Sequence, residues 1–337
     1  MTTIHDVAAH AGVSISTVSR ALNGKTSVDP VLSARVQAAA AELGYHPNWV
    51  ARNLRRQCTA IWALIIADIE NPFFTAIARG VEDVAEAAGH SIVLCNSDED
   101  VGKEERYLRV AVAERVAGVV LSPTSPDADV SLLIEHRIPV VVIDRPVATA
   151  HIDTVLVNTR LAARQATAHL IEGGYHRIAC ITGPRRVYTA EDRLAGYCDA
   201  LRAARRRVVT GLVRYADFKV GGGHSASESL LTATPRPDAL FIANNLMAVG
   251  ALETLKALGL QVGADVGVVT FDDAPWTRLV NPPISVVAQP AYQIGEVAGR
   301  LLADRVTGGT RAVSTITLDA QLIIRDSSTG QPLNPRG

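Results

Sequence analysis

No apolar run in these 337 residues approaches the roughly 18 that would suggest a membrane span. The longest, at 60–67, is far shorter, so no membrane is expected among the partners. The opening MTTIHDVAAH lacks the basic and apolar regions of a secretion signal, and the expected location is cytoplasmic. Cysteine is scarce: Cys58, Cys95, Cys180 and Cys198 are the four, none spaced C-x-x-C, and they read as buried free thiols. There is no G-x-S-x-G, no H-E-x-x-H and no metal-ligand cluster, so neither catalysis nor a metal or other cofactor is expected. Aromatic residues make up only 4% of the chain, but 48% is hydrophobic and 20% charged, which excludes a disordered or fibrous protein and suits a soluble α/β one.

What is present is unevenly distributed. Residues 1–56 hold six Lys/Arg against three acids, a net charge of plus three, whereas the remainder is net minus four. A small basic head on an acidic body points to a polyanion as the partner of the head. The length suits two or three domains.

The head reads as three short helices. Thr3 and Asp6 form a capping-box pattern, and Gly12 can end the first helix in a left-handed conformation. Ser14 caps a second helix through about Asn23, and Asp29-Pro30 starts a third that runs to Gly44. Ala8, Gly12 and Val18 have helix-turn-helix spacing, with Val7, Val13 and Leu22 completing a core. The second helix then offers hydroxyls and one arginine to a DNA groove. Ile15 suits a thymine methyl, Ser16 either base type, and Arg20 a guanine edge, while Thr17, Ser19 and Asn23 suit phosphates. The segment NGKTS at 23–27 ends like a phosphate-binding loop, but position 19 is Ser rather than Gly and no strand precedes it.

From residue 59 apolar strands alternate with amphipathic helices, expected at 74–88, 162–173 and 248–258 among others; this is the pattern of βαβ units in parallel sheets, and two sheets fit the length. Open sheets of this kind bind ligands beyond the carboxyl ends of their strands. The residues there are Asn71, Phe73, Phe74, Asp144, Arg145, Asn244, Asp272 and Gln289, joined by Arg193 on the helix after IACITGP and by Phe218 after VRYAD. Aromatic rings with Asp, Asn, Arg and Gln side chains suit a neutral polyol, the rings on its C–H face and the polar groups on vicinal hydroxyls. Asp144 and Asp272 offset Arg145 and Arg193, which disfavours an anionic ligand. The GGGH at 221–224 reads as a helix start.

Residues 3–56, with HDVAAHAGVSISTVSRALNG, AELGYHPN and VARNLRR, resemble the DNA-binding head and hinge of the lactose-repressor/galactose-repressor family of bacterial transcription regulators, and the likeness extends to about Arg325. It implies a helix-turn-helix head at 1–47 and a hinge at 48–58. Within the hinge, a helix at 48–56 would fold only on palindromic operator DNA, with Asn48 among its contacts and Leu54 as a minor-groove wedge. It also implies a two-lobed sensor like a periplasmic binding protein at 59–326, with lobe 1 at about 59–158 and 290–318 and lobe 2 at about 159–288 and 320–326. The end, 327–337, reads as a disordered tail. The ten strand-end residues also match, position by position, the sugar-contacting residues of periplasmic ribose-binding proteins, apart from Asn245, where relatives often have Asp. The expectation is a homodimeric repressor, since the tail lacks leucine heptads, with D-ribose as inducer. Another pentose, hexose or polyol is the alternative effector. A non-regulatory sugar receptor leaves the head unexplained, and so does a glycosidase built on Asp144 and Asp272.

Overall fold

A computed structural model of the chain describes residues 2–22, 28–45, 59–148 and 151–330. The chain divides into two units, the first ending at Thr59 and the second beginning at Ala60.

In the first unit, helices α1 (Ile4–Ala11), α2 (Ile15–Leu22) and α3 (Pro30–Glu42) enclose a small core of Val7, Ala8, Ala11, Val18, Ala21, Val36, Ala39 and Ala40. The capping box forms between Thr3 and Asp6, and Gly12 takes φ 63° to turn the chain toward α2. Asp29 caps α3 through the N–H groups of Val31 and Leu32. That helix stops at Glu42, short of the expected Gly44, because Gly44 adopts φ 58° and turns the chain away.

The second unit contains two six-stranded sheets. The first has the order β11-β5-β4-β3-β1-β2, from β1 (Ile61–Ile66), β2 (Ser91–Asn96), β3 (Gly118–Leu121), β4 (Val140–Ile143), β5 (Asp153–Val157) and β11 (Thr315–Leu318), and all its pairings are parallel. The second has the order β12-β10-β9-β8-β6-β7, from β6 (Ile178–Thr182), β7 (Val213–Tyr215), β8 (Ala239–Ile242), β9 (Gly267–Phe271), β10 (Ser285–Ala288) and β12 (Gln321–Ile323). There only β10 and β12 run antiparallel. The chain therefore crosses between the lobes three times, after β5, after β10 and after β11.

Helices cover both faces of each sheet, which explains strands that are apolar without alternation. Trp62, Leu64 and Ile66 of β1 pack with Phe74 and Ile77 of the helix Pro72–Ala87 and with Ile294 and Ala298 of the helix Ala291–Val306. Ala63 and Ile65 face the other way, toward Leu108 and Leu133. In the second lobe Ala179 and Ile181 meet Leu230 and Met247, while Ile178 and Cys180 meet Leu170 and Tyr197.

Three expected helices begin earlier than apolar periodicity suggests, at Pro72, Thr159 and Asn245, because Asn71, Asn158 and Asn244 cap them. The GGGH segment lies in the first turn of the helix Val220–Leu231. Two readings need correction. The expected disorder from 327 does not hold for residues 327–330: Ser327 and Ser328 are fully buried, Ser327 Oγ donates to Val268 O at 2.7 Å, and the Tyr175 hydroxyl donates to Gly330 O at 2.9 Å. These small polar side chains satisfy buried backbone groups at the end of the second sheet, a role that composition alone reads as solvation. Of the thiols, Cys180 is buried but Cys95 and Cys198 are only partly so. Cys95 sits on β2, the sheet edge, where one side of the strand is open.

Candidate functional site

Both sheets reverse their strand order beside the first strand of the lobe, β1 in one and β6 in the other. At such a switch point the loops leave in opposite directions and open a crevice at the carboxyl ends of the strands. The two crevices face each other, and all ten residues expected from the sequence line one cleft between them. Lobe 1 contributes Asn71, Phe73, Phe74, Asp144 and Arg145; lobe 2 contributes Arg193, Phe218, Asn244 and Asp272; Gln289 lies on a crossing between the lobes. All are buried except Gln289, which is half-buried.

Asp144 and Asp272 occupy equivalent places, directly after β4 and β9. Each takes a left-handed backbone, φ 65° and 70°, and each donates its N–H to the neighbouring strand, to Val155 O at 3.0 Å and Val287 O at 2.8 Å. Phe218 also takes a left-handed backbone, φ 62°. Left-handed conformations at non-glycine residues carry a cost and gather at functional sites. The Phe218 ring also needs Gly183 at the end of β6, since an added Cβ there would lie 2.1 Å from Phe218 Cζ. Phe73 and Phe74 meet edge to face with centroids 5.1 Å apart.

The polar groups are partly committed to one another. Asn71 and Asn244 accept from Phe73 N and Met247 N at 3.0 and 2.8 Å, capping the helices that start at the cleft. Gln289 Nε2 donates to Asp272 Oδ1 at 2.7 Å. Arg193 donates to Ala243 O at 2.6 Å, and its guanidinium carbon lies 4.2 Å from the Phe271 ring centroid. Burial pushes the Asp144 carboxyl above the ordinary carboxylate range, against the pull of Arg145 and Arg193. Burial also lowers the Arg193 guanidinium, against the pull of Asp272 and Asp144. For Arg145 burial acts in the same direction, but the charge and hydrogen bonds of Glu99 outweigh it and hold the group above its usual value. Arg145 Nε, Arg193 Nε, Asn245 Oδ1 and Gln289 Oε1 are buried without a hydrogen-bond partner in the protein. Buried donors and acceptors left in this state beside rings are what a polyhydroxylated ligand would satisfy.

The cleft includes residues that sequence reasoning missed: Asp68, Glu99, Thr189 and Lys219. Asp68 and Glu99 follow β1 and β2, so the strand-end rule could have found them; Lys219 only neighbours Phe218. Side chains of the cleft also join the lobes, Lys219 to Asp68 and Asn245 to Asn71. Lys219 Nζ donates to Asp68 Oδ2 at 2.8 Å, and Asn245 Nδ2 donates to Asn71 Oδ1 at 2.8 Å and to Asp272 Oδ2 at 3.1 Å.

In the first unit, Ile15 is 41% exposed on α2, and Ser14, Ser16 and Arg20 are exposed, with Thr17 and Ser19 partly so. Ser14 Oγ accepts from Thr17 N at 3.2 Å and lies 2.8 Å from both Ser16 Oγ and Thr17 Oγ1, so it organises the hydroxyls of the first turn. Asn23, Asn48 and Leu54, and the hinge around the last two, lie outside the described residues. Among the described residues no helix is long and apolar enough to cross a membrane.

Comparison with known proteins adds three findings. Residues 3–48 match the family described as bacterial regulatory proteins, lacI family, and residues 167–328 match a periplasmic binding protein-like domain. The chain is 36% identical over 331 residues to the ribose operon repressor of Halalkalibacterium halodurans, covering 98% of both chains. Among solved structures it resembles the transcriptional regulator CelR in complex with cellobiose, at 35% identity and TM-score 0.74 over 97% of this chain and 100% of that one. It also resembles the lac repressor dimer bound to operator and an anti-inducer, at 26% identity and TM-score 0.86 over 98% and 99%.

Proposed function

Because the chain belongs to the lacI family of bacterial regulatory proteins, and is by that membership a transcriptional repressor and not an enzyme, we propose that a neutral sugar controls its operator affinity. The sugar is D-ribose, acting as inducer in the cytoplasm. The observation that carries this reading is that ten residues, which the resemblance pairs with sugar-contacting positions of ribose-binding proteins, converge on one cleft between two lobes. The named ribose operon repressor supports the same sugar. The CelR structure, with cellobiose at comparable identity, means that overall similarity does not choose the sugar, so the weight rests on the cleft.

On the DNA side, α2 reads a groove, with Ile15, Ser16 and Arg20 on base edges and Ser14, Thr17, Ser19 and Asn23 setting its position through phosphates. Asn48 and Leu54 act in the hinge. The protein works as a homodimer on a palindromic operator. Its second unit has apolar surface suited to pairing: Val93 and Leu94 on the open edge of β2 are 48% and 37% exposed, and Leu279 is 83% exposed.

Calorimetric titration with D-ribose and a panel of other pentoses and hexoses tests the effector. D-Ribose should bind most tightly, and Arg193→Ala should weaken it by roughly 2 kcal/mol or more, about 30-fold, because the variant leaves buried partners unpaired. If a different sugar binds more tightly, the effector changes; if Arg193→Ala binds as the wild type does, the cleft is not the site.

A further inference from the structure

We propose that Glu99 is the specificity residue that makes this cleft refuse phosphorylated sugars, because its carboxylate occupies the seat on Arg145 that a sugar phosphate would need. The proposal rests on the sugar-binding reading of the cleft. Arg145 Nη1 and Nη2 donate to Glu99 Oε2 and Oε1, both at 2.6 Å, a two-pronged pair in which the Arg145 side chain is only 5% exposed. The same planar fork recognises carboxylate and phosphate with equivalent geometry. A glutamate already seated there is an internal substitute for the anion. The third nitrogen, Nε, lies 3.3 Å from Asp144 Oδ2, so acids flank the guanidinium on both sides.

The backbone is bent to deliver this carboxylate. Asp98 and Glu99 have φ values of 53° and 58°, two consecutive non-glycine residues in the left-handed region, and glutamate gains no local compensation there. Asn96 Nδ2 holds Asp98 at 2.7 Å, and Glu99 N donates to Ala67 O at 3.2 Å. A turn required only to connect β2 to the next helix would not need a glutamate in this conformation.

Other anion-binding groups at the cleft are engaged from within. Helix N-termini bind anions through free N–H groups; at the cleft Asn71 and Asn244 each take up one N–H in the first turn of their helices, while the helices Tyr188–Ala203 and Val220–Leu231 start there without a side-chain cap. Lys219 is paired with Asp68. Across the cleft Asp68, Glu99, Asp144 and Asp272 outnumber Arg145, Arg193 and Lys219 by one. The regulator therefore reports the sugar before phosphorylation, ahead of any kinase that consumes it.

Titrations of D-ribose and ribose 5-phosphate into the full chain test this, using the wild type, Glu99→Ala and Glu99→Gln, with circular dichroism as the check on folding. The wild type should bind the phosphate at least about 100-fold more weakly than ribose, as expected where like charges oppose. Glu99→Ala should narrow that ratio by about tenfold or more, chiefly by gaining affinity for the phosphate. Glu99→Gln, which keeps the shape but not the charge, should narrow it less and remains informative if the alanine variant does not fold. A ratio unchanged in every folded variant, or a wild type that binds both compounds equally, overturns the proposal. A wild type that binds neither overturns the ribose reading and this proposal with it; binding of ribose with an unchanged ratio overturns this proposal alone.

Discussion

Asp144 is buried in a place that disfavours its charge, and burial is the largest cause of its raised carboxyl pKa. A carboxyl whose folded value lies above its unfolded one stabilises the fold most at pH below the unfolded value, near 4, and loses that contribution as pH rises through the folded value. Ionising this carboxyl in the folded protein therefore costs stability, a cost retained for binding. Asp144→Asn should raise the melting temperature of the sugar-free protein, by on the order of 1 kcal/mol or about 2–4 °C, and weaken ribose binding. Thermal melting with and without ribose checks both effects; a lower melting temperature without sugar would mean that Asp144 is structural. At this scale the sequence was most legible where a residue directly follows an apolar strand, as Asp144, Asn244 and Asp272 do. Gly183 was hidden because its role is to leave room for Phe218, and an absent side chain carries no pattern. Glu99 lay within reach of the strand-end rule, but its role was hidden because a glutamate in a polar loop looks like any solvated charge until Arg145 is seen opposite it.

Asp153 ties together elements that are far apart in sequence. Its carboxylate on β5 accepts from Arg305 of the helix Ala291–Val306 at 2.9 Å, from Arg311 at 2.6 and 2.9 Å, and from Ser314 N at 2.9 Å just before β11. Burial alone would raise its pKa, but the hydrogen bonds from Arg311, Arg305 and Ser314 prevail and hold it below the ordinary range. The sign is opposite to that of Asp144: the contribution is present above the unfolded value and lost as pH falls through the folded one. Asp153→Asn should destabilise the protein by about 2–3 kcal/mol at pH 7, below the full cost of breaking a buried pair because both arginines are partly exposed. The variant should also lose less stability than the wild type on acidification below about pH 4. Urea midpoints at pH 7 and in acid measure this, and parallel losses in the two proteins would remove Asp153 from the account. Strands longer than three residues and buried on both faces were readable from the sequence. β7, β11 and β12 were not, because they are short and their burial is partial or alternating. Asn caps displaced the helix starts for a related reason, since a polar first turn is invisible to apolar periodicity.

On the scale of the whole molecule, the charge contrast between head and body and the change in periodicity near residue 59 made the division into two units legible. The closure of the cleft was not, because Lys219–Asp68 and Asn245–Asn71 join residues more than 150 positions apart. These bonds bring the lobes together, and a sugar that touches both lobes adds to the closed state by its differential affinity for it. Allosteric couplings of this kind are typically 1–3 kcal/mol. The most direct test uses a duplex selected from random sequence by the sugar-free protein, with its affinity measured by fluorescence anisotropy at one fixed salt concentration with and without saturating D-ribose. The account predicts that ribose weakens binding about 5- to 150-fold; an affinity that is unchanged or strengthened by ribose would contradict it.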